Sequence, residues 1–325
     1  MVKIAILGAG AAGLTCGHQL RRAGVEPVIF EKSRGLGGRM STRRVTLDDH
    51  ELRFDHGAQF VRAKSELFAS ALEDLDAHGT AHRWQPVSVT GAEQSSVAPD
   101  QRPFWVGHGG MKTMFSPYAD GLDIRFETLV DSVTFDDGPR VNGLTFDAVI
   151  STVPAPQASA LFCGVDDFEE RLRTVEVAPC WALLLAFEQP LSVPFDTWRH
   201  VNDDIGWLAR NSSKPGAGAS TGADCWVLHA SPAWSRTHLE LDKEAVAPRL
   251  LQAFKSAVGL PDATPIYAAA HRWRYSQTIT PLGAPFLKNT DQTVFVGGDW
   301  ALGGRVEAAF QSGKAMAEAS LAALG

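Results

Sequence analysis

Ile4-Ala5-Ile6-Leu7 is a short apolar run that breaks into Gly8, Gly10 and Gly13, with Ala9, Ala11 and Ala12 between them. A strand that meets glycines at this spacing must turn tightly into a helix, whose first N–H groups and positive dipole end can hold a pyrophosphate. The continuation is the one a dinucleotide-binding unit requires. An amphipathic stretch over residues 11–23 leads to a second apolar run, Val28-Ile29-Phe30, and then to Glu31, eighteen positions after Gly13. A carboxylate there is suited to accept both hydroxyls of an adenosine ribose. Glycine turns also join strands to helices in proteins that bind nothing, so the motif counts because of this order. A secretory leader is not expected, since the apolar start lacks a basic n-region and runs directly into the turn.

A chain of 325 residues has room for about two domains. Thirty Lys and Arg stand against 37 Asp and Glu, a net charge of −7 that opposes general attraction to nucleic acid or anionic lipid. Neither partner is expected, and no apolar stretch is long enough to span a bilayer. Cys16, Cys163, Cys180 and Cys225 form no CxxC pair and no metal-ligand spacing, which fits reduced thiols in a cytoplasm. His78 and His82 are four apart, but Gly79 and the lack of a third ligand make them surface residues, and no metal is expected.

Periodicity predicts a helix over about 65–78, short strands from Trp84 to Val97, a helix from Met111 through Ala119, and strands over Ile124–Val130 and Ala148–Val153. Pro154 and Pro156 read as a crossing between domains. From about 175 to 275 separated strands rich in tryptophan follow: Trp181–Phe187, Trp198–Val201, Trp207–Ala209, Trp226–Ala230 and Ala268–Tyr275. Lys243–Val258 is an amphipathic helix across them, and the glycine-rich run 215–222 reads as a flexible hairpin tip. The last segment is again strand, glycine turn and helix, the helix running from about Val306 to Leu324. The expected fold is α/β, with a discontinuous Rossmann-type domain (1–78, 104–158 and 276–325) and a mainly antiparallel β-sheet substrate domain (79–103 and 159–275).

The second nucleotide-type motif, Val294-Phe295-Val296-Gly297-Gly298-Asp299-Trp300, decides the cofactor expected. NAD on a Rossmann unit needs no Gly-Gly-Asp turn three hundred residues later, whereas FAD is long enough to reach both turns. Asp299 can accept from ribityl hydroxyls or can cap the turn, and the helix opening at Val306 can aim its positive end at the flavin pyrimidine, favouring an anionic reduced flavin. Arg34-Gly35-Leu36-Gly37-Gly38-Arg39 lets backbone approach a ligand with Arg39 free to meet phosphate, or is a flexible basic loop. Gly57-Ala58-Gln59-Phe60 would let a flavin ring lie on backbone beside an amide.

The Gly8–Gly13 turn, Glu31-Lys32, the Arg34–Arg39 run and Gly57-Ala58-Gln59 resemble the flavin amine-oxidase superfamily. Trp207 through Pro215, Trp226 through Ala230, His271-Arg272-Trp273-Arg274-Tyr275, and Gly298-Asp299-Trp300 through Gly303-Gly304-Arg305-Val306-Glu307 resemble bacterial renalases, and these segments span nearly the whole chain. The resemblance implies a p-hydroxybenzoate-hydroxylase-like fold and noncovalent FAD, with Val130 joining the cofactor contacts. It further implies oxidation of 2- or 6-dihydro-NAD(P) to NAD(P)⁺ by hydride transfer to flavin N5, with O2 giving hydrogen peroxide. One departure is Ala308, where these relatives usually carry glycine, a methyl that would crowd the flavin edge.

A flavin oxidase needs position and field more than acid and base groups, so no catalytic residue is assigned. Trp207, Trp226, Trp273, Tyr275 and Trp300 are candidates to wall a flat nicotinamide, or are core aromatics. His229 and His271 are candidate substrate contacts, or structural histidines. Arg305 stands where amine oxidases of the superfamily usually present a tyrosine. A guanidinium there repels an ammonium substrate and suits a carboxamide, phosphate or flavin carbonyl, although it can equally be an ion-pair partner. An amine oxidase or desaturase is therefore the second reading and a non-catalytic flavin-fold binding protein the third. Gly109-Gly110-Met111 either brings a helix start near the flavin or caps a helix.

Overall fold

The structure is a computed structural model that describes residues 2–48, 50–98, 102–135, 138–216 and 222–324. The tip expected over 215–222 lies mostly outside them, at 217–221. The chain forms two compact units, one of residues 1–39, 115–177 and 278–325 and the other of 40–114 and 178–277.

Strand order explains why the first unit needs both ends of the chain. Its six-stranded sheet runs Phe286–Lys288, Val294–Gly297, Ala148–Ser151, Ile4–Leu7, Val28–Phe30, Asp123–Arg125. All pairs are parallel except Phe286–Lys288 with Val294–Gly297. Ile4–Leu7, Ala148–Ser151 and Val294–Gly297 are buried at every position, as strands covered on both faces must be. The two flanking helices, Ala11–Arg22 and Val306–Leu324, touch where both are smallest. A Cβ on Gly313 would fall 2.2 Å from the carbonyl oxygen of Ala12, so only glycine permits that approach.

The second unit is built on a seven-stranded sheet in the order Tyr267–Thr280, Glu176–Phe187, Asp224–Ala230, Ile205–Arg210, Thr197–Arg199, Ser88–Thr90, Ser95–Ser96. Alternation along Glu176–Phe187 supplies both faces. Trp181, Leu183 and Leu185 join Trp226, Leu228 and the helix Lys243–Val258, which contributes Val246, Leu250 and Phe254. Ala182, Leu184 and Ala186 face the other way, with Cys225 and Val227, onto Leu52 and Phe54 of the hairpin formed by Thr42–Leu47 and His50–Asp55.

Those contacts place the division elsewhere than at the expected 1–78, 104–158 and 276–325. The hairpin apolar residues lie on the large sheet, so 40–114 goes with the second unit, while Phe162, Phe168 and Leu172 pack with Leu7 and Phe30, so 159–177 stays with the first. Pro154 does not mark a crossing. It caps the helix Ala155–Leu161, with Pro156 in the first turn where a missing N–H is harmless. The helix expected from Met111 through Ala119 is two 3-10 turns, Met111–Thr113 and Ser116–Ala119, with Pro117 opening the second. The strand expected over 124–130 ends at Arg125, because Glu127 takes a left-handed conformation (φ 53°). Among the described residues no helix is long and apolar enough to cross a membrane.

Candidate functional site

In the first unit the glycines define a backbone cradle. Gly8 has φ 100°, and a Cβ on Gly13 would sit 1.9 Å from Gly8 O, so the helix Ala11–Arg22 can start this close to its strand only without a side chain. Its N-cap is Gly10, with no side-chain cap and no acidic residue in the first turn, which leaves the first N–H groups for a ligand. The Arg34–Arg39 run lies directly against this turn. Gly37 N donates to Ala9 O at 3.0 Å, Gly10 and Gly37 form a parallel bridge, and a Cβ on Gly38 would meet Gly10 Cα at 3.5 Å.

Glu31 is buried at the end of Val28–Phe30, beside the same turn. Oε2 accepts from Ala9 N and Oε1 from Ser33 N, each at 2.8 Å. Those bonds lock the carboxylate in place, and each oxygen retains a lone pair for a ribose hydroxyl. From the far end of the sequence, Asp299 meets Arg39, Oδ1 to Nη2 at 2.5 Å. Arg39 is thus tethered rather than free. Gly298, with φ 144°, opens the short helix Asp299–Leu302, and Val306 opens the last helix.

Other expected residues of this unit differ in burial. Lys32 and Arg34 are exposed, and Val130 packs with the core containing Leu7 and Phe30. Trp300 is a core residue and not a ring wall: it is 1 % exposed and its Nε1 donates to Val153 O at 2.9 Å. Arg305 is exposed and makes no ion pair among the described residues, and Ala308 is buried.

The second unit gathers a different set. His56 O accepts from His229 Nε2 at 3.0 Å and from Trp273 Nε1 at 2.9 Å. The rings of His56, His271 and Trp273 meet in mutual contact, with centroids 4.5 to 5.1 Å apart. Burial pushes all three histidines down to about 4. For His56 the neighbouring His271 adds to this, for His271 the charge of Arg43, and for His229 that of Lys214. They are uncharged at neutral pH, and no carboxylate contributes to any of the three shifts.

Gln59 is 4 % exposed and lies 3.4 Å from His229, with its Oε1 buried and without a hydrogen-bond partner. An N–H donor on a ligand would satisfy it. Phe60 follows, in contact with Trp207 (5.5 Å) and Phe104 (4.6 Å). Gly57 and Ala58 are half-buried beside it. The Tyr275 side chain makes no ring contact or hydrogen bond among the described residues. Trp226 is a core residue, fully buried with its Nε1 on Asp224 at 2.8 Å.

Anchoring for residues 55–59 comes from groups that sequence reasoning did not nominate. Asp55 Oδ1 accepts from Thr42 Oγ1 at 2.7 Å and from Met111 N at 2.8 Å, and Lys214 Nζ lies 2.9 Å from Oδ2. Gly109-Gly110-Met111 therefore serves to anchor Asp55 within this unit. No spacing rule links positions 42, 55, 111 and 214. No cluster of three or more His, Cys, Asp or Glu able to hold a metal occurs among the described residues.

The cradle suits a dinucleotide by its glycine approaches, locked carboxylate and uncapped helix start. Comparisons with known proteins agree. Residues 6–75 match the family described as NAD(P)-binding Rossmann-like domain, and residues 80–321 match Flavin containing amine oxidoreductase. Among solved structures, a cyclohexylamine oxidase from Brevibacterium oxydans aligns over 99 % of both chains with TM-score 0.76 at 13 % identity. A putrescine oxidase aligns over 99 % of both with TM-score 0.70 at 14 % identity. A reduced UDP-galactopyranose mutase aligns over 99 % of this chain and 96 % of its own, with TM-score 0.74 at 14 % identity. These likenesses show the shared fold. The family match covers more than half of the sequence, so the chain belongs to the flavin-containing amine oxidoreductases and is an oxidoreductase whose cofactor is noncovalent FAD.

Proposed function

We propose that this chain is a renalase-like oxidase that takes 2- or 6-dihydro-NAD(P) to NAD(P)⁺ and passes the two electrons to O2. Dihydronicotinamide, O2 and one proton become nicotinamide cation and hydrogen peroxide. The bound flavin supplies the two-electron acceptor. The observation that carries the reading is the uncharged histidine and tryptophan cluster with the orphaned Gln59 oxygen. That surface offers a carboxamide N–H its partner and offers an ammonium no carboxylate. A hydride donor needs orientation there and no general acid or base. All four cysteines are free, which supports a reducing compartment.

Anaerobic mixing of the holoenzyme with dihydronicotinamide isomers and with amines tests the reaction. Bleaching of the yellow flavin absorbance by a 2- or 6-dihydro isomer is expected, with peroxide forming on admission of air. Bleaching by primary or secondary amines alone would replace this reading with that of an amine oxidase or desaturase.

We further assign Gly8, Gly10, Ala11, Ala12, Gly13, Glu31, Gly37, Gly38, Arg39, Gly298, Asp299 and Val306 to holding FAD. Glu31→Ala removes the carboxylate locked beside the glycine turn, and Asp299→Ala also releases Arg39. Each variant is expected to weaken flavin retention by about tenfold or more, the effect of losing one charge-assisted hydrogen bond. The ratio of flavin to protein absorbance after desalting reads this directly. Full occupancy in both variants would remove the two carboxylates from the assignment.

A further inference from the structure

Arg199, Trp207 and His229 stand in register on three adjacent strands, Arg199 opposite Trp207 and Trp207 opposite His229. Cross-strand partners point to the same face, so the three side chains form a row. The Arg199 guanidinium lies over the Trp207 ring, 5.2 Å from its centroid. A second arginine lies on the same aromatic group: Arg62 Cζ is 4.8 Å from the ring of Phe104, which touches Phe60, which touches Trp207.

Arg199 keeps part of its side chain in solvent and makes no ion pair among the described residues, and the burial of the rest, together with the nearby charge of Arg62, holds it below the usual arginine range. Arg210 shows the contrast. It too lies over a tryptophan, Trp226, yet it reaches Asp224 at 3.3 Å. A guanidinium that rests on an indole and meets no carboxylate favours an anion as its third neighbour.

We propose that Arg199 binds the pyrophosphate of a dinucleotide substrate whose planar ring lies toward His229. The inference rests on the dihydronicotinamide reading for its substrate and adds where the phosphates go. From His229 to Arg199 is two interstrand spacings, about 10 Å, the scale of a path from a nicotinamide ring across its ribose to the 5′-phosphates. Arginine suits the task because its planar fork meets phosphate oxygens bidentately while its face rests on an indole.

The test uses the flavin-loaded enzyme, so that the nucleotide cradle is filled, with ADP-ribose as the probe and adenosine as its uncharged control. Calorimetric titration is expected to show ADP-ribose binding that weakens with salt, and about tenfold looser binding in Arg199→Gln with a flatter salt dependence. Arg199→Lys, which keeps charge without the fork, is expected to fall between. In turnover, Arg199→Gln is expected to raise KM for the dihydronicotinamide dinucleotide with kcat unchanged, and to leave the phosphate-free dihydronicotinamide riboside unaffected. If no dihydronicotinamide bleaches the flavin but Arg199→Gln still loosens ADP-ribose, the reaction reading fails and the anion site stands. Wild-type ADP-ribose affinity in Arg199→Gln, or wild-type enzyme binding ADP-ribose no tighter than adenosine, overturns the site.

Discussion

Lys214→Ala is expected to destabilise the second unit by about 3–5 kcal/mol, the cost of leaving a buried charge without its partner. Lys214 and Asp55 are 0 % and 1 % exposed at their side chains, with Nζ 2.9 Å from Oδ2. Asp55 cannot turn to solvent, because Thr42 and the Met111 N–H hold its other oxygen and Asn211 accepts from its own N–H. The orphaned carboxylate also sits one residue before His56, so the ring cluster should loosen with it. Urea unfolding followed by tryptophan fluorescence measures the loss. Lys214→Met combined with Asp55→Asn removes both charges and should recover much of it. A Lys214→Ala protein with the wild-type midpoint would show that the pair contributes nothing.

Acid should unfold this protein through its histidines before its carboxylates. His56, His229 and His271 are held at about 4 from an ordinary 6.5, so between those values the unfolded chain binds more protons than the folded one. Stability contributed by the neutral imidazoles is therefore complete above pH 6.5, falls as pH drops below it, and is gone near pH 4. For His56, which is 6 % exposed, the full loss is on the order of 3 kcal/mol, about 2 kcal/mol of it by pH 5. The other two are more exposed and share the cluster, so each adds less. Denaturation midpoints measured from pH 7.5 to 4.5 should fall steadily below 6.5, and His56→Asn with His271→Gln should flatten that slope. A midpoint constant from pH 7 to 5 would contradict the buried, uncharged state of the cluster.

Much of the scaffold was readable because it is governed by neighbours along the chain. The helix expected over 11–23 is Ala11–Arg22, and Lys243–Val258 and Val306–Leu324 lie where the apolar period places them. The role of Gly13 was legible for the same reason, since its clash partner, Gly8 O, is five residues away. The failures were local too: Pro117 and the left-handed Glu127 cut short elements that periodicity alone would extend.

The site divides along the same line. Gly8, Gly13 and Glu31 are set by spacing, because a strand, a tight turn and a helix bring the glycines into contact and the carboxylate beside them. The link between Arg39 and Asp299, the Lys214–Asp55 pair, and the row Arg199, Trp207, His229 have no period or motif. Glycine spacing and apolar period act through backbone geometry over a few residues. Which charges meet, and which remain unmatched, follows from strand order and burial, and those exist only once the sheets have closed over their cores.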